Sequence, residues 1–367
     1  MYNIDTEKEL VFTENPENEI WQTILQFSYE ANIKKYLEEH QLPINDDLVN
    51  NISGSILQAF EYYKAYQNVD LQISPLLLYY GTTNLLYGIT NLMTGTINDI
   101  HHHGMSIISP EKSNFLSNTE IRFENSSKGG IHVFSRALGI NYDLTHYGSW
   151  TLKEFLSSIP EIRQDYLKCY NASSSNTIPL LKFITPEGQL EKIEIKNIDT
   201  NLIFDELKMV LSFEKNYLRP TYSQDGNYLL LRKKLSGKSI SVTSYSGQEF
   251  LQVGHLKNGN IINLPQMLYM YIALFALGSL CRYKPEIWNP FVKNDITGEK
   301  LLIKKFLQYS YRLIPNFVLN HIYGKTIIYS GEKYVPVDTI KLVGEHTVKE
   351  MINKQLYELQ EAQRRMK

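Results

Sequence analysis

The chain has 367 residues, of which 43% are apolar and 21% charged, and its formal net charge is −2. This composition is typical of a folded globular protein, and the near-neutral charge gives no basic footprint for sequence-independent binding of nucleic acid. The two cysteines, Cys169 and Cys281, form no CxxC pair, which argues against a disulfide framework and a cysteine-built zinc site. Because the acidic N-terminus lacks the apolar segment of a signal peptide, we expect a cytoplasmic protein.

Three helices are predicted in the first hundred residues. The first begins with Asn15 as N-cap and Pro16 at the first helical position, a pairing typical of helix starts. A second helix, with one apolar face, spans Val49 to Tyr66. The third begins at Ser74 and should end at Gly95, because glycine commonly follows a helix C-terminus.

Short strands and turns are predicted between about Ser109 and Ile262. The expected elements are hairpins over 180–195 and 222–228, a helix from the capping box of Thr151 and Glu154, and a helix over 204–213. After Asn263 the pattern returns to helices: an apolar one over 267–281, a long one over 300–321 and a last one from Thr347.

The apolar stretch from Met267 to Cys281 has to be weighed as a membrane span. Its core of about fifteen residues is shorter than the roughly twenty that a bilayer requires. We therefore predict a buried core helix and no membrane partner.

These patterns predict a mainly helical α+β fold. The helical body is expected to combine the N-terminal region, 1–108, with the C-terminal region, 263–367, which packs on it. The β-containing middle region, 109–262, is expected to be attached to that body.

Gly81, Asn84, Gly88, Asn91 and Gly95 are three or four residues apart in the third helix, so they share one face. We call this set the glycine–asparagine row. An interior glycine costs a helix about 1 kcal/mol, which indicates close approach of another backbone. One interpretation is tight helix packing, with the asparagines bonding across the contact. The other is a row that lines a polar pocket, with Asn84 and Asn91 as binding residues.

Three histidines, His101 to His103, follow this helix, and Asp99 precedes them. Imidazole and carboxylate groups are ligands for several metals, but adjacent side chains of a regular element cannot all point at one ion. We therefore predict no metal site and expect loop histidines with local hydrogen bonds. His103 stays a candidate binding or acid–base residue.

Arg282 directly follows the apolar helix, and Pro285 and Glu286 come next. Proline disfavours helical conformation in the residue before it, so a helix end is expected here. An arginine in this place needs solvent or a carboxylate. Either Glu286 pairs with Arg282 or the arginine binds an anion, and both residues are candidate site residues.

A further polar set, including Arg312 and His321, lies on a helix that Pro315 is expected to interrupt. Other familiar motifs fail. Residues 236–239 end like a phosphate-binding loop, but Arg232 stands where the leading glycine is required. The chain also has no GxSxG and no GxGxxG, so hydrolase and dehydrogenase readings have no positive support.

Two blocks of the chain are similar to a known family. The run from Ser74 to Gly88, SPLLLYYGTTNLLYG, followed by His103-Gly104, resembles the YaaC-like proteins of Bacillus and related bacteria. The block CRYKPEIW, at 281–288, resembles the second recognisable block of that family. The resemblance covers most of the chain and implies a cytoplasmic bacterial protein, but it brings no established activity.

A looser similarity is to HEPN helical domains, in which metal-independent ribonucleases carry a catalytic Arg-x4–6-His motif. Here Arg312 and His321 have eight residues between them, which does not fit that spacing. The other approximations, Arg136 with His146 and Arg122 with His132, are wider still.

The preferred expectation is a binding or regulatory protein whose polar pocket takes an anionic small molecule or nucleotide. The alternative is a HEPN-like or other enzyme acting on RNA or nucleotides, with His103 or His321 as acid–base group and Arg282 or Arg312 holding phosphate. No cofactor is predicted, and the sequence indicates no particular oligomeric state.

Overall fold

The computed structural model describes residues 8–110, 115–125, 128–140, 143–185, 188–195, 200–237, 240–244 and 247–330. The helix predicted from Thr347 lies outside these residues. Within them the chain forms twelve α-helices and thirteen strands in several small sheets. The prediction of a mainly helical α+β fold is confirmed.

The N-terminal elements are mostly helices. They are β1 (Lys8–Phe12), α1 (Pro16–Leu25), α2 (Glu30–Glu39), α3 (Asp46–Tyr66) and α4 (Ser74–Thr94). Asn15 caps α1 by accepting a hydrogen bond of 3.1 Å from the backbone of Asn18. Gly95 ends α4 in the left-handed conformation, at φ 64°. Both predicted ends are confirmed.

The middle of the chain contains most of the strands. Its first part has β2 (Met105–Ile108), β3 (Glu120–Phe123), α5 (Gly130–Ala137), β4 (Trp150–Thr151), α6 (Leu152–Ser157) and α7 (Arg163–Tyr170). Strands β2, β3 and β4 form an antiparallel sheet. The capping box predicted from Thr151 and Glu154 is present at the start of α6.

A six-stranded antiparallel sheet follows, in the order β7-β8-β6-β5-β10-β9. The elements are β5 (Thr177–Thr185), β6 (Gly188–Glu194), α8 (Thr200–Lys208), α9 (Phe213–Asn216), β7 (Thr221–Tyr222), β8 (Tyr228–Leu231), β9 (Ser241–Thr243) and β10 (Glu249–Gln252). Both predicted hairpins are confirmed. The helix predicted over 204–213 is instead two helices, because Ser212 adopts a left-handed conformation at φ 63° between them.

The C-terminal elements are helical apart from a hairpin before them and a strand after them. They are β11 (His255–Lys257), β12 (Asn260–Ile262), α10 (Gln266–Tyr283), α11 (Pro285–Asn294), α12 (Glu299–Tyr323) and β13 (Thr326–Ser330). The interruption predicted at Pro315 is wrong, because α12 continues through it. Pro315 and its neighbours Leu313 and Ile314 are buried, and that packing outweighs the roughly 3 kcal/mol that an interior proline costs.

Helix α10 is the most deeply buried helix of the described chain. Every residue from Met267 to Leu280 is buried, so the helix has no exposed face over that span. The predicted core helix is confirmed. Among the described residues, no helix combines the length and hydrophobicity needed to cross a bilayer.

The buried apolar side chains form two separate clusters. The main cluster joins α1–α4 to α10–α12 and also includes the stretch from Met105 to Tyr166. The second cluster lies between the six-stranded sheet and helices α8 and α9. Parallel pairing of β1 with β13 adds a further link between the first and last regions. Residues of the first and last regions therefore share one hydrophobic cluster, and the division into regions with boundaries after 108 and 262 stays a prediction.

Candidate functional site

Gly81 and Gly88 of the glycine–asparagine row lie against α3, whereas Gly95 lies against Leu42 and Pro43 before that helix. A Cβ added at Gly81 would stand 2.8 Å from a ring carbon of Tyr63, and one at Gly88 would stand 3.1 Å from Ser55 Cβ. The first distance leaves no room for a side chain, and the second would force Ser55 to shift by a few tenths of an ångström. The packing interpretation is confirmed, and these glycines do not frame a pocket.

The two asparagines of the row differ. Asn91 is fully buried; its amide donates to Asn51 Oδ1 on α3 at 2.7 Å, and its carbonyl oxygen accepts from the Asn98 backbone at 3.0 Å. It therefore ties α4 to α3 and to the following loop. Asn84 is half-buried and donates to the carbonyl of Tyr80 in its own helix, at 2.9 Å, so the expected bond across the contact is absent there. Neither asparagine's binding role is decided by these contacts.

Helix α4 also packs closely on α10, and this contact fixes the position of the Tyr79 ring. A Cβ at Gly278 would stand 3.2 Å from Tyr79 Cβ, so glycine lets the two helices approach. The Tyr79 ring is buried against Tyr271 and Phe275. Its hydroxyl reaches Nδ1 of His103 at 2.6 Å. Burial raises the pKa of Tyr79, which keeps the phenol protonated.

The loop with His103 is held by the N-terminus of α5. The carbonyls of His102 and His103 accept hydrogen bonds from Gly130 and Ile131, at 2.8 and 3.1 Å. The loop can come this close because Gly104 is at φ 74° and packs on Gly129. Its position is therefore built into the fold. Among the described residues, no group of three or more His, Cys, Asp or Glu side chains is arranged to hold a metal ion.

The His103 imidazole is half-buried and neutral at pH 7. Burial lowers its pKa below the usual 6.5, and the charges of Arg282 and His102 lower it further, against a smaller opposing effect of Glu124. In the tautomer whose Nδ1 accepts a hydrogen bond from the Tyr79 hydroxyl, the imidazole carries its proton on Nε2. No described residue takes a hydrogen bond from that nitrogen, so it can donate to a ligand.

Arg282 lies on the exposed last turn of α10 among aromatic rings. Its guanidinium donates to the Tyr80 hydroxyl and lies 5.9 Å from the centre of that ring and 4.9 Å from that of Tyr283. Tyr80 in turn stacks on Tyr62, at a centroid distance of 6.0 Å. We name Tyr62, Tyr80, His103, Arg282 and Tyr283 the Arg282 surface.

The carboxylate partner that the sequence suggested for Arg282 is not found. Glu286 lies 3.9 Å from Lys284 Nζ instead. The reason is that the two residues are in different helices. Helix α10 ends at Tyr283 and α11 begins at Pro285, so residues 282 and 286 are not one turn apart on a single helix. No described carboxylate lies within ion-pair distance of the arginine. Whether Glu286 takes part in binding stays a prediction.

Arg312 and His321 lie on opposite sides of α12. The step of nine positions from Arg312 to His321 corresponds to two and a half turns of a continuous helix, which places the two side chains about 180° apart around its axis. Arg312 is buried and donates to Asn316 Oδ1 at 3.2 Å and to the Tyr329 carbonyl at 3.3 Å. His321 lies among apolar side chains that include Phe134, and burial lowers its pKa to about 4. Their contacts fit structural roles, and the two cannot form one catalytic pair.

Sequence reasoning missed a cleft of about 820 Å³ that contains His255. Its walls come from four separate stretches, near residues 151–157, 166–176, 205–209 and 253–261. Since no stretch carries a recognisable motif, only the fold reveals the cleft.

Comparison with known proteins yields one match. The family model for YaaC-like proteins matches residues 18–322, which is most of the chain and includes α4, the His103 loop and Arg282. Searches of curated proteins and of solved structures found no match. On the strength of the family match, the chain belongs to the YaaC-like protein family.

Proposed function

We propose that this protein binds an anionic small molecule, and a nucleotide in particular, at the Arg282 surface. The observation that carries the proposal is the state of Arg282: its guanidinium is exposed, flanked by aromatic rings and without a carboxylate partner among the described residues. The exposed guanidinium is solvated and needs no structural partner, so it lacks only the negative charge that a ligand would bring. An anion would supply that charge.

The surrounding groups match the parts of a nucleotide. Arg282 can bind phosphate oxygens through two parallel hydrogen bonds. His103 offers an Nε2–H donor beside it, held in place by Tyr79. The stacked rings of Tyr62 and Tyr80 provide an aromatic surface for a base.

An enzyme acting on nucleotides or RNA is the second candidate. It is favoured by one observation, the proximity of His103 to Arg282, which is close enough for the guanidinium to lower the pKa of the imidazole. General base catalysis by His103 requires the tautomer in which Nδ1–H donates to the Tyr79 hydroxyl, which leaves Nε2 free to accept a proton. The pair Arg312 and His321 gives this candidate no support, because the two side chains lie on opposite sides of α12.

A cytoplasmic location is part of the proposal. Cys169 and Cys281 are both free thiols, which is usual where the compartment is reducing. The cytoplasm would also supply nucleotides to the site.

The test is calorimetric titration of the full chain with ATP, AMP and inorganic pyrophosphate. We expect binding of at least one of these, and a loss of about tenfold in affinity for Arg282→Gln, as expected for one charge-assisted contact. Arg219→Gln, which removes another exposed arginine, is the matched control and should bind normally. If Arg282→Gln binds as tightly as the unmodified protein, the proposal is wrong.

The same samples decide between binding and catalysis. Chromatography of the nucleotides, and of a short RNA incubated with the protein, would reveal products. Product formation that His103→Gln abolishes would favour the enzyme, and stable binding without products would favour the binding protein.

A further inference from the structure

The cleft of about 820 Å³ lies where the two hydrophobic clusters meet. One part of its lining comes from α6 and α7 of the main cluster, another from α8 of the second cluster, and a third, here called the floor, from the β11–β12 hairpin. This volume falls in the range of small-molecule sites, which commonly occur between separately packed units. The Arg282 surface contributes no residue to its lining.

The floor of the cleft is rigid and uncharged. His255 is buried there, its imidazole in hydrogen-bond contact with the Ser158 hydroxyl at 2.8 Å and with the Asn176 amide at 2.9 Å. Burial lowers the pKa of His255 to about 4, so the ring is neutral at pH 7. The ring also packs edge-on against Trp150. The floor therefore gives the cleft shape and polar contacts but no net charge.

Two of the acidic side chains that line the cleft are already neutralised. Glu154 pairs with Lys257 at 2.6 Å and also accepts a hydrogen bond from the Thr151 backbone. Asp205 pairs with Lys208 at 2.7 Å. These residues leave no charge for a ligand to complement.

Two other charged side chains in the lining have no ion-pair partner among the described residues, and they come from different helices, α6 and α8. Lys153 on α6 has its ammonium 4.3 Å from the centre of the Tyr170 ring, with no described carboxylate in reach. Glu206 on α8 is half-buried; its carboxylate accepts a hydrogen bond from the Ser174 hydroxyl, and Arg163 is near enough to act on it but lies outside ion-pair distance. Burial raises the pKa of Glu206, the behaviour of a carboxyl that lacks a counter-ion.

We propose that this cleft is a second binding site, and that its ligand is a short peptide with free ends. A peptide is a zwitterion: its carboxylate would face Lys153 and its ammonium would face Glu206. The volume is larger than a free amino acid needs and suits a ligand of drug-like size. Hydroxyl and amide groups along the lining, such as those of Ser174 and Asn176, can bond the peptide backbone.

The experiment uses an equimolar pool of Ala-Xaa-Ala tripeptides and saturation-transfer NMR on the full chain. Free peptides should receive saturation, and N-acetylated or C-amidated versions of the pool should bind about tenfold more weakly, since each loses one charge-assisted contact. Glu206→Gln should weaken binding of the free peptides by the same factor as N-acetylation does, and N-acetylation should then have no further effect on binding. Lys153→Met should do the same for C-amidation. Lys215→Met, at an exposed lysine that is not part of the cleft lining, is the matched control and should change nothing.

Two outcomes would overturn the proposal: no saturation transfer to any pool, or equal binding of free and capped peptides. Arg282→Gln distinguishes this site from the proposed nucleotide site, because peptide binding in the cleft should be unaffected by it. Thermal unfolding of each variant establishes that the compared proteins are folded.

Discussion

The buried span of α10 and its last turn belong to one helix but differ in their exposure to solvent. From Met267 to Leu280 every side chain is buried, whereas Arg282 and Tyr283 are exposed and face aromatic rings. The first segment fixes the fold, and the second presents a charge that the fold does not compensate. The difference teaches that, in this protein, burial separates residues that stabilise from residues available to bind. The predictions below test that separation.

The largest effect is expected from Leu274→Asp in the buried span. Leu274 is fully buried, and an unpaired carboxylate there would cost several kcal/mol, which is comparable with the whole stability of a domain. We expect an unfolded or aggregated product by circular dichroism and size-exclusion chromatography. The volume-conserving control Leu274→Met should remain folded. A soluble Leu274→Asp protein with cooperative unfolding would show that α10 is peripheral.

A pH dependence of stability is expected from His321, which is half-buried on α12 among apolar side chains. Its pKa is about 4 in the folded protein against 6.5 unfolded, so the unfolded chain takes up the proton first as pH falls. Stability should therefore be full above about pH 6.5 and decline by up to about 3 kcal/mol towards pH 4.

Urea unfolding across that range would measure the slope. His321→Leu should make it shallower, with the exposed His146→Gln as control for loss of an imidazole. An unchanged slope in His321→Leu would contradict the buried neutral state.

Asn91→Ala and Asn84→Ala should differ in their effect on stability. Asn91→Ala removes a fully buried amide that bonds the half-buried Asn51 side chain and the Asn98 backbone N–H, which should cost about 1–3 kcal/mol. Asn84 bonds only a carbonyl of its own helix, so Asn84→Ala should cost less than about 1 kcal/mol. Denaturant unfolding measures both, and equal losses would refute the distinction.

Alanine at glycines of α3 and α4 should show opposite signs. Gly54 has nothing within 4 Å of an added Cβ, so Gly54→Ala should stabilise by up to about 1 kcal/mol through helix propensity. Gly81→Ala should destabilise by about 1–3 kcal/mol, because Tyr63 is buried and bonded to Thr82 and cannot move away. Gly88→Ala should destabilise the protein less than Gly81→Ala, because its closest contact is longer. A stabilised Gly81→Ala protein would end the packing account.

Part of the fold, namely helix ends, close helix packing and the buried helix, could be predicted from the sequence. Local signals carried it: Gly95 marked the end of α4, the spacing of Gly81 and Gly88 indicated close packing, and the uncharged stretch before Arg282 indicated a buried helix. These features depend on periodicity and on conformational preferences that act within one element.

The remainder depended on contacts between distant segments. The position of His103 follows from the hydrogen bonds between its loop and the start of α5, almost thirty residues later in the chain. The failure of Glu286 to reach Arg282 follows from the change of direction at Lys284, between two helices. Lys153 and Glu206 come to face one cleft only because two cores meet there. No local pattern encodes such pairings.

The central claim, that the Arg282 surface binds an anion, is tested most directly by an NMR titration of the His103 imidazole with and without pyrophosphate. Bound anion would favour the protonated ring, so we predict that pyrophosphate raises the pKa of His103. Arg282→Gln should by itself raise that pKa, because a neighbouring positive charge is removed, and should abolish the further response to pyrophosphate. A His103 titration that pyrophosphate, ATP and AMP all leave unchanged would contradict the account.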